Sequence, residues 1–286
     1  MSTVPALFRH LVDDASMFPP GDLPLAEAVT AHRAHLRSAY AELVGPLVCT
    51  DQDLMKVAEH ARAESGAGAL RVSVVISGGA GGIEPAVRWG DRSKDVEVTA
   101  VEVRLRDEDD LSRNALRVVR VCDDCLDEEM AYVELGLDGA WERALDVVAD
   151  AGYAAKLRTG GLDAALFPSS DQVASFITAC LDREVAFKCT AGLHNAVRHT
   201  AAGTGFEHHG FLNVLLATRA SLDGGAHDEL VELLDSRDGA KLAARARALS
   251  NDQATGTRRW FMSFGSCSIE EPRHDLVTLQ LMEDAR

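Results

Sequence analysis

The chain has 286 residues, and 29 lysines and arginines stand against 45 aspartates and glutamates, a formal net charge of −16. That balance, with no basic tract, argues against nucleic acid or an anionic membrane surface as a partner. No apolar run approaches the roughly 18–20 residues of a membrane span, and no basic-then-apolar leader opens the chain, so a cytoplasmic location is expected.

The first 45 residues read as helical. A short helix around Pro5–Asp13 leads to a Phe18-Pro19-Pro20-Gly21 break, and a second helix follows Asp22 and Pro24 to Leu43. The pattern then changes to short β-rich runs separated by helical stretches. The runs are Leu47–Cys49, Leu70–Ile76, Val98–Leu105, Ala131–Leu135, Tyr153–Leu157, Val185–Cys189 and Trp260–Phe264. The intervening helices include Asp51–Glu64, Leu111–Leu126, Asp138–Ala151 and Asp171–Arg183, with Thr50 and Ser170 as N-caps. Phe211–Leu249 reads as consecutive helices, although Phe211–Ala217 could supply a missing strand. Alternating strand and helix imply parallel strands with right-handed crossovers. The expected fold is therefore α/β, a TIM-like (β/α) barrel of seven or eight strands with extra N-terminal helices. A single domain spans 1–286, with 1–45 as the helical segment and 46–286 as the barrel. A doubly wound open sheet is the alternative. Against it, the Gly78–Gly82 run follows the second strand and fits no dinucleotide or P-loop spacing.

Six cysteines, with one C-x-x-C at Cys122 and Cys125 and no second pair, make no zinc ribbon. Only five of the 29 basic residues are lysine, so a lysine inside an apolar strand calls for an explanation. Two such lysines exist, Lys156 and Lys188, one βα unit apart. In a barrel, ligands sit at the C-terminal strand ends. With a period of two, Lys156, Arg158 and Gly160 share one face of their strand, and Lys188, Thr190 and Gly192 share one face of the next. Converging cations and burial would lower a lysine pKa and release an amine able to attack a carbonyl. Alternatively the cations stay charged and hold a phosphate or carboxylate, or each lysine pairs with a barrel carboxylate such as Glu134 or Glu102.

Further candidates flank the pair. Glu134 and His194 could move protons. Arg158, Thr159, Gly160, Gly161, Thr190 and His209 could bind an anion, as could the small turn Gly265-Ser266-Cys267-Ser268. Cys267 could instead be a nucleophile. His194, His199, His208 and His209 lie within sixteen residues but lack an H-x-x-x-H face, so no metal is assigned.

The segment Phe187-Lys188-Cys189-Thr190-Ala191-Gly192 resembles the lysine-bearing strand of class I aldolases of the deoxyribose-phosphate aldolase type. That resemblance covers about ten residues. It implies Lys188 as the Schiff-base residue and Lys156 as the neighbour that lowers its pKa, although that family places its second lysine on the following strand. The same segment, with Gly205 and His209-x-Phe211, is also similar to a basic strand of quinolinate-type phosphoribosyltransferases. As a whole the chain resembles uncharacterised bacterial proteins.

The expected function is a barrel enzyme acting on a small anionic carbonyl metabolite by lysine Schiff-base chemistry, aldolase- or lyase-like, with no cofactor. Alternatives are a phosphate-binding transferase or hydrolase, with Mg or Zn assisting and the lysines charged, and a non-catalytic ligand-binding barrel. No nucleic acid or membrane partner is expected, and a homo-oligomer is compatible with the sequence.

Overall fold

The computed structural model describes residues 4–63, 68–106 and 110–284. Eight parallel strands close into a barrel. In chain order they are β1 (Val12–Asp14), β2 (Val44–Thr50), β3 (Leu70–Ile76), β4 (Val96–Arg104), β5 (Met130–Leu135), β6 (Ala154–Arg158), β7 (Phe187–Thr190) and, after a short hairpin of β8 (His199–Thr200) and β9 (Glu207–His208), β10 (Phe261–Ser266). Around the barrel the order is β1-β10-β7-β6-β5-β4-β3-β2. The barrel expectation holds, and the strand number is eight.

The eighth strand comes from an unexpected place. The helix expected around Pro5–Asp13 shrinks to the helical turn Ala6–Phe8, and Val12–Asp14 is a strand. The three residues pair on both sides, Val12 with Phe264 and Asp14 with Ser266 on β10, and Val12 with Val44 and Asp14 with Leu47 on β2. The barrel therefore begins inside the segment read as N-terminal helices. Phe211–Ala217 supplies no strand. It opens the helix α7 (Phe211–Leu222).

Single helices follow most strands: α1 (Leu25–His35), α2 (Leu54–Ala63), α3 (Ile83–Gly90), α4 (Leu111–Cys125), α5 (Trp141–Asp150) and α6 (Ser170–Asp182). After β7 come α7, α8 (His227–Asp235), α9 (Gly239–Ala248) and α10 (Asn251–Trp260), and α11 (Glu270–Thr278) follows β10. Side-chain caps start several of these helices. The Asp110 carboxylate accepts from the Arg113 amide at α4. Capping boxes open α6 with Ser169 and Gln172, and α10 with Ser250 and Gln253. Ser170, expected as the cap, is the first helical residue, and its hydroxyl donates to Asp235 at 2.6 Å.

Most strand residues facing outward are apolar. Val72, Val74, Val101, Val103, Val133, Leu157, Phe187 and Phe264 join one continuous core with the inner faces of the helices. This burial is the main favourable term for the fold, at about 25 cal/mol per Å² of apolar surface. The inward set differs in character. Ala100, Tyr132 and Ala154 form a small separate apolar cluster with Met130, Ala186 and Met262, which floors the lumen. One step further along each strand the lumen becomes ionic.

Candidate active site

Period-two alternation puts the next inward residues at one level: Asp13 on β1, Ser73 on β3, Glu102 on β4, Glu134 on β5, Lys156 on β6, Lys188 on β7 and Ser263 on β10. Glu134 is in register with Lys156, Lys156 with Lys188, and Lys188 with Ser263. All seven are buried. A barrel usually fills this layer with branched apolar side chains. Here it holds three carboxylates and two ammonium groups.

The groups alternate in sign across the lumen. Lys188 Nζ donates to Asp13 Oδ2 at 2.5 Å and to Glu102 Oε1 at 2.7 Å. Lys156 Nζ lies 2.7 Å from Glu102 Oε2 and 2.9 Å from Glu134 Oε2. Arg158 Nε donates to Glu134 Oε1 at 3.1 Å, and Arg104 Nε lies 4.0 Å from the same oxygen. Hydroxyls complete the carboxylates: Ser73 donates to Glu102 at 2.6 Å and Ser263 to Asp13 at 2.8 Å. The Lys188 ammonium also sits 4.9 Å from the centre of the Tyr132 ring, toward the floor. At the mouth end the Arg104 and Arg158 side chains are 57% and 34% exposed, so the charged network opens to solvent there.

Gly45 makes this arrangement possible. A Cβ there would come within 2.1 Å of Asp13 Oδ1, so only glycine lets the carboxylate reach toward Lys188.

The electrostatics correct one expectation. Burial alone would lower the Lys188 pKa, but Asp13 and Glu102 outweigh it and hold Lys188 above the ordinary lysine value. Lys156 therefore does not leave Lys188 as a free amine, because Glu102 stands between the two cations. Burial opposes ionisation of Glu102 and Glu134 too, yet the two lysines drive Glu102 far below the usual carboxylate range, and Lys156 and Arg158 lower Glu134. Asp13 goes the other way. Burial raises it, and the like charge of Glu102 adds to that, against the single cation Lys188. Asp13 is thus the carboxylate in the lumen readiest to take a proton.

The other residues singled out in the sequence are placed as follows. Thr159 is buried and ties two strand ends together, its hydroxyl donating to Ala191 O at 2.5 Å and its amide to Thr190 O at 2.9 Å. Gly160 lies against Gly192, where a Cβ would meet the Gly192 Cα at 2.8 Å, and a Cβ on Gly161 would meet Leu166 at 2.4 Å. Thr190 lines the mouth beside Gly265. The Ser266 hydroxyl donates to Ser268 O and accepts from the Ser268 amide. The turn after β10 runs into α11, whose first turn already carries Glu270 and Glu271, so the helix dipole there is met by protein carboxylates.

His209 lies apart from the lysines. It is fully buried, with Nε2 against Pro168 O at 2.7 Å and Nδ1 accepting from Arg198 at 3.1 Å. Burial and Arg198 push its pKa down to about 4, so it is a neutral structural ring. His194 stands at the mouth with Cys267 and Glu271. Among the described residues no group of three or more His, Cys, Asp or Glu side chains is arranged to hold a metal ion. Cys122 is buried on α4 and Cys125 ends that helix with its thiol free. Of the acidic run Asp107–Asp110, residues 107–109 lie outside the described residues.

Three side chains of the ionic layer are not assigned to it by the sequence reading: Asp13, which reads as part of a lid or an N-terminal helix, Ser73 and Ser263. Arg104 was likewise unmarked. A cavity of about 190 Å³ lies at the opposite end of the barrel, under Tyr153, Arg259 and Trp260, and holds neither lysine.

No family model matches the chain, and no curated protein matches it. One solved structure aligned with it is a chain from Coccidioides immitis whose own assignment as a fructose-1,6-biphosphate aldolase is provisional. It is 9% identical, with a TM-score of 0.44, over 99% of this chain and 97% of that one. Agreement at that level carries no argument about activity. Among the described residues no helix is long and apolar enough to cross a membrane.

Proposed function

We propose that the protein is a barrel enzyme that acts on a small anionic carbonyl metabolite through a lysine amine, in the manner of an aldolase or lyase. The observation carrying this reading is the ionic layer itself. Desolvating charged groups costs several kcal/mol per ion, and an apolar layer of similar volume is commonly as stable or more so. A barrel that keeps two lysines and three carboxylates in its lumen gives up that simpler core.

In this reading Lys156 is the amine that meets the carbonyl. It lies one carboxylate, Glu134, from the exposed guanidiniums, whereas Lys188 lies deeper, over Tyr132. The roles are thus reversed from the sequence expectation. As Lys156 attacks the carbonyl carbon, Glu134, 2.9 Å from its Nζ, relays protons from that nitrogen to the carbonyl oxygen, which leaves as water to give the iminium. Lys188 keeps its proton and fixes Glu102 and Asp13. Arg104 and Arg158 hold the substrate's anionic group, since each lysine is already neutralised by two carboxylates.

The test is intact-mass spectrometry after borohydride reduction with a panel of small aldehydes, ketones and their phosphorylated or carboxylated forms. Lys156→Arg and Lys188→Arg run alongside, because arginine keeps the buried charge and cannot form the adduct. An adduct absent only in Lys156→Arg is expected. One absent only in Lys188→Arg would return the nucleophile to the deeper lysine. No adduct across the panel would refute amine chemistry and favour a permanently charged lumen, the reading for which the raised Lys188 pKa speaks.

A further inference from the structure

A second cluster of reactive groups lies at the strand ends, outside the ionic layer. Cys267 follows β10 and is half-buried, and His194 follows β7. The Cys267 sulfur lies 3.7 Å from His194 Nε2 and 3.6 Å from Nδ1. Nδ1 is also 2.9 Å from Glu271 Oε2 on α11. With Nδ1–H donating to Glu271, Nε2 is the ring nitrogen left without a proton, and a turn of the ring from its position beside the sulfur brings it onto the thiol. Nucleophile, base and orienting carboxylate thus come from three separate segments.

A fourth segment approaches the sulfur from the other side. The Phe18-Pro19-Pro20-Gly21 turn presses its last residue against Cys267. A Cβ on Gly21 would meet the Cys267 Cβ at 2.9 Å and Ser16 O at 2.8 Å. Because that position is glycine, its backbone packs closely against Cys267, and the amides of Gly21 and of Cys267 itself favour the thiolate. Burial and the Glu271 charge outweigh those amides and keep the resting thiol up at about 11. The sulfur is therefore protonated at rest, and a base must take its proton during attack.

We propose that Cys267 is a nucleophilic thiol served by His194 as general base, with Glu271 and Gly21 as positioning residues, and that it accepts acyl groups from activated esters or thioesters. Sγ bonds to the acyl carbon as the thiol proton moves to His194 Nε2. The bond to the leaving oxygen or sulfur breaks, and His194 returns the proton to it. The acyl group stays on Cys267 as a thioester, which water hydrolyses by the same base. No oxidant, metal or further co-reactant enters.

The test uses the whole protein with 4-nitrophenyl acetate, and separately with iodoacetamide, followed by intact mass and peptide mapping of all six thiols. Cys125 is the internal reference, because it is the other partly exposed cysteine. Cys267 should be modified first, faster than Cys125 by about tenfold or more, as general-base assistance implies. His194→Asn should erase that advantage, and Gly21→Ala should move the pH–rate profile to higher pH. Glu271→Gln changes an exposed side chain, is safe for folding, and should slow acylation severalfold. Modification of Cys267 no faster than of Cys125, or an unchanged rate in both His194→Asn and Glu271→Gln, would overturn the proposal.

Discussion

Replacing Glu102 by glutamine removes the charge that both lysines share and leaves the shape of the side chain intact. In the native lumen its two oxygens are each 2.7 Å from an ammonium nitrogen, one from Lys188 and one from Lys156. The variant leaves Lys156 with Glu134 and Lys188 with Asp13, and places the two cations on adjacent strands with no negative charge between them. Breaking a buried ion pair costs about 3–5 kcal/mol. The low end applies, because each lysine keeps one carboxylate, so about 3 kcal/mol is expected. At roughly 2–4 °C per kcal/mol for chains of a few hundred residues, Tm falls by roughly 6–12 °C. Thermal and urea denaturation at pH 7 measure this. A second arm adds Lys188→Met to Glu102→Gln. The pair should recover at least about 1.5 kcal/mol relative to the sum of the single variants, because the stranded cation is gone. If Glu102→Gln costs under about 1 kcal/mol and the double variant is additive, the lysines are not held as ions by this carboxylate, and the account of the lumen fails.

The remaining predictions are smaller. His209 titrates near 6.5 when unfolded and is pushed down to about 4 when folded, so its share of stability is complete above pH 6.5 and is lost as pH falls toward 4. At about 1.4 kcal/mol per pH unit that share amounts to roughly 3 kcal/mol, and His209→Gln should flatten the denaturation profile over that interval. Gly45→Ala should displace Asp13 from Lys188 and lower both stability and any lysine-dependent activity, and an unchanged melting curve would show that the carboxylate has room to spare. Arg158→Gln should raise KM for an anionic carbonyl substrate more than it lowers kcat. An equal loss in both would place Arg158 in the chemical step instead.

Much of the barrel could be read from the sequence because its outer face is conventionally apolar. Leu70–Ile76 matches β3 in both ends, and most other strand readings fall within a residue or two of the observed limits. The strand β1 could not be read. Val12-Asp13-Asp14 carries two residues that disfavour strands, and it follows the helix-like Ala6-Leu7-Phe8. Its burial comes from remote partners. Asp14 turns outward to His32 at 2.9 Å, and Asp13 turns inward to Lys188, 175 positions away. The lysine pair was legible because lysine is rare here and both copies sit in apolar runs. Their electrostatics were not, since the sign of the Lys188 shift depends on Asp13, which no local pattern marks. Cys267 and His194 were each visible, but their meeting depends on how the loops after β7 and β10 fold over the mouth.

Barrel closure through β1 also has a kinetic side. The shortest strand of the barrel wall is the one that joins its two ends, and it pairs residues near position 12 with residues near position 264. Bringing such distant segments together carries a large loop-closure entropy before any contact rewards it. The same event delivers Asp13 to Lys188 and Ser263. Assembly of the ionic layer is therefore tied to the strand pairing of longest sequence separation. A chain with the other seven strands in place but β1 undocked holds a lysine short of its counter-charge, and that electrostatic penalty pulls the seam shut.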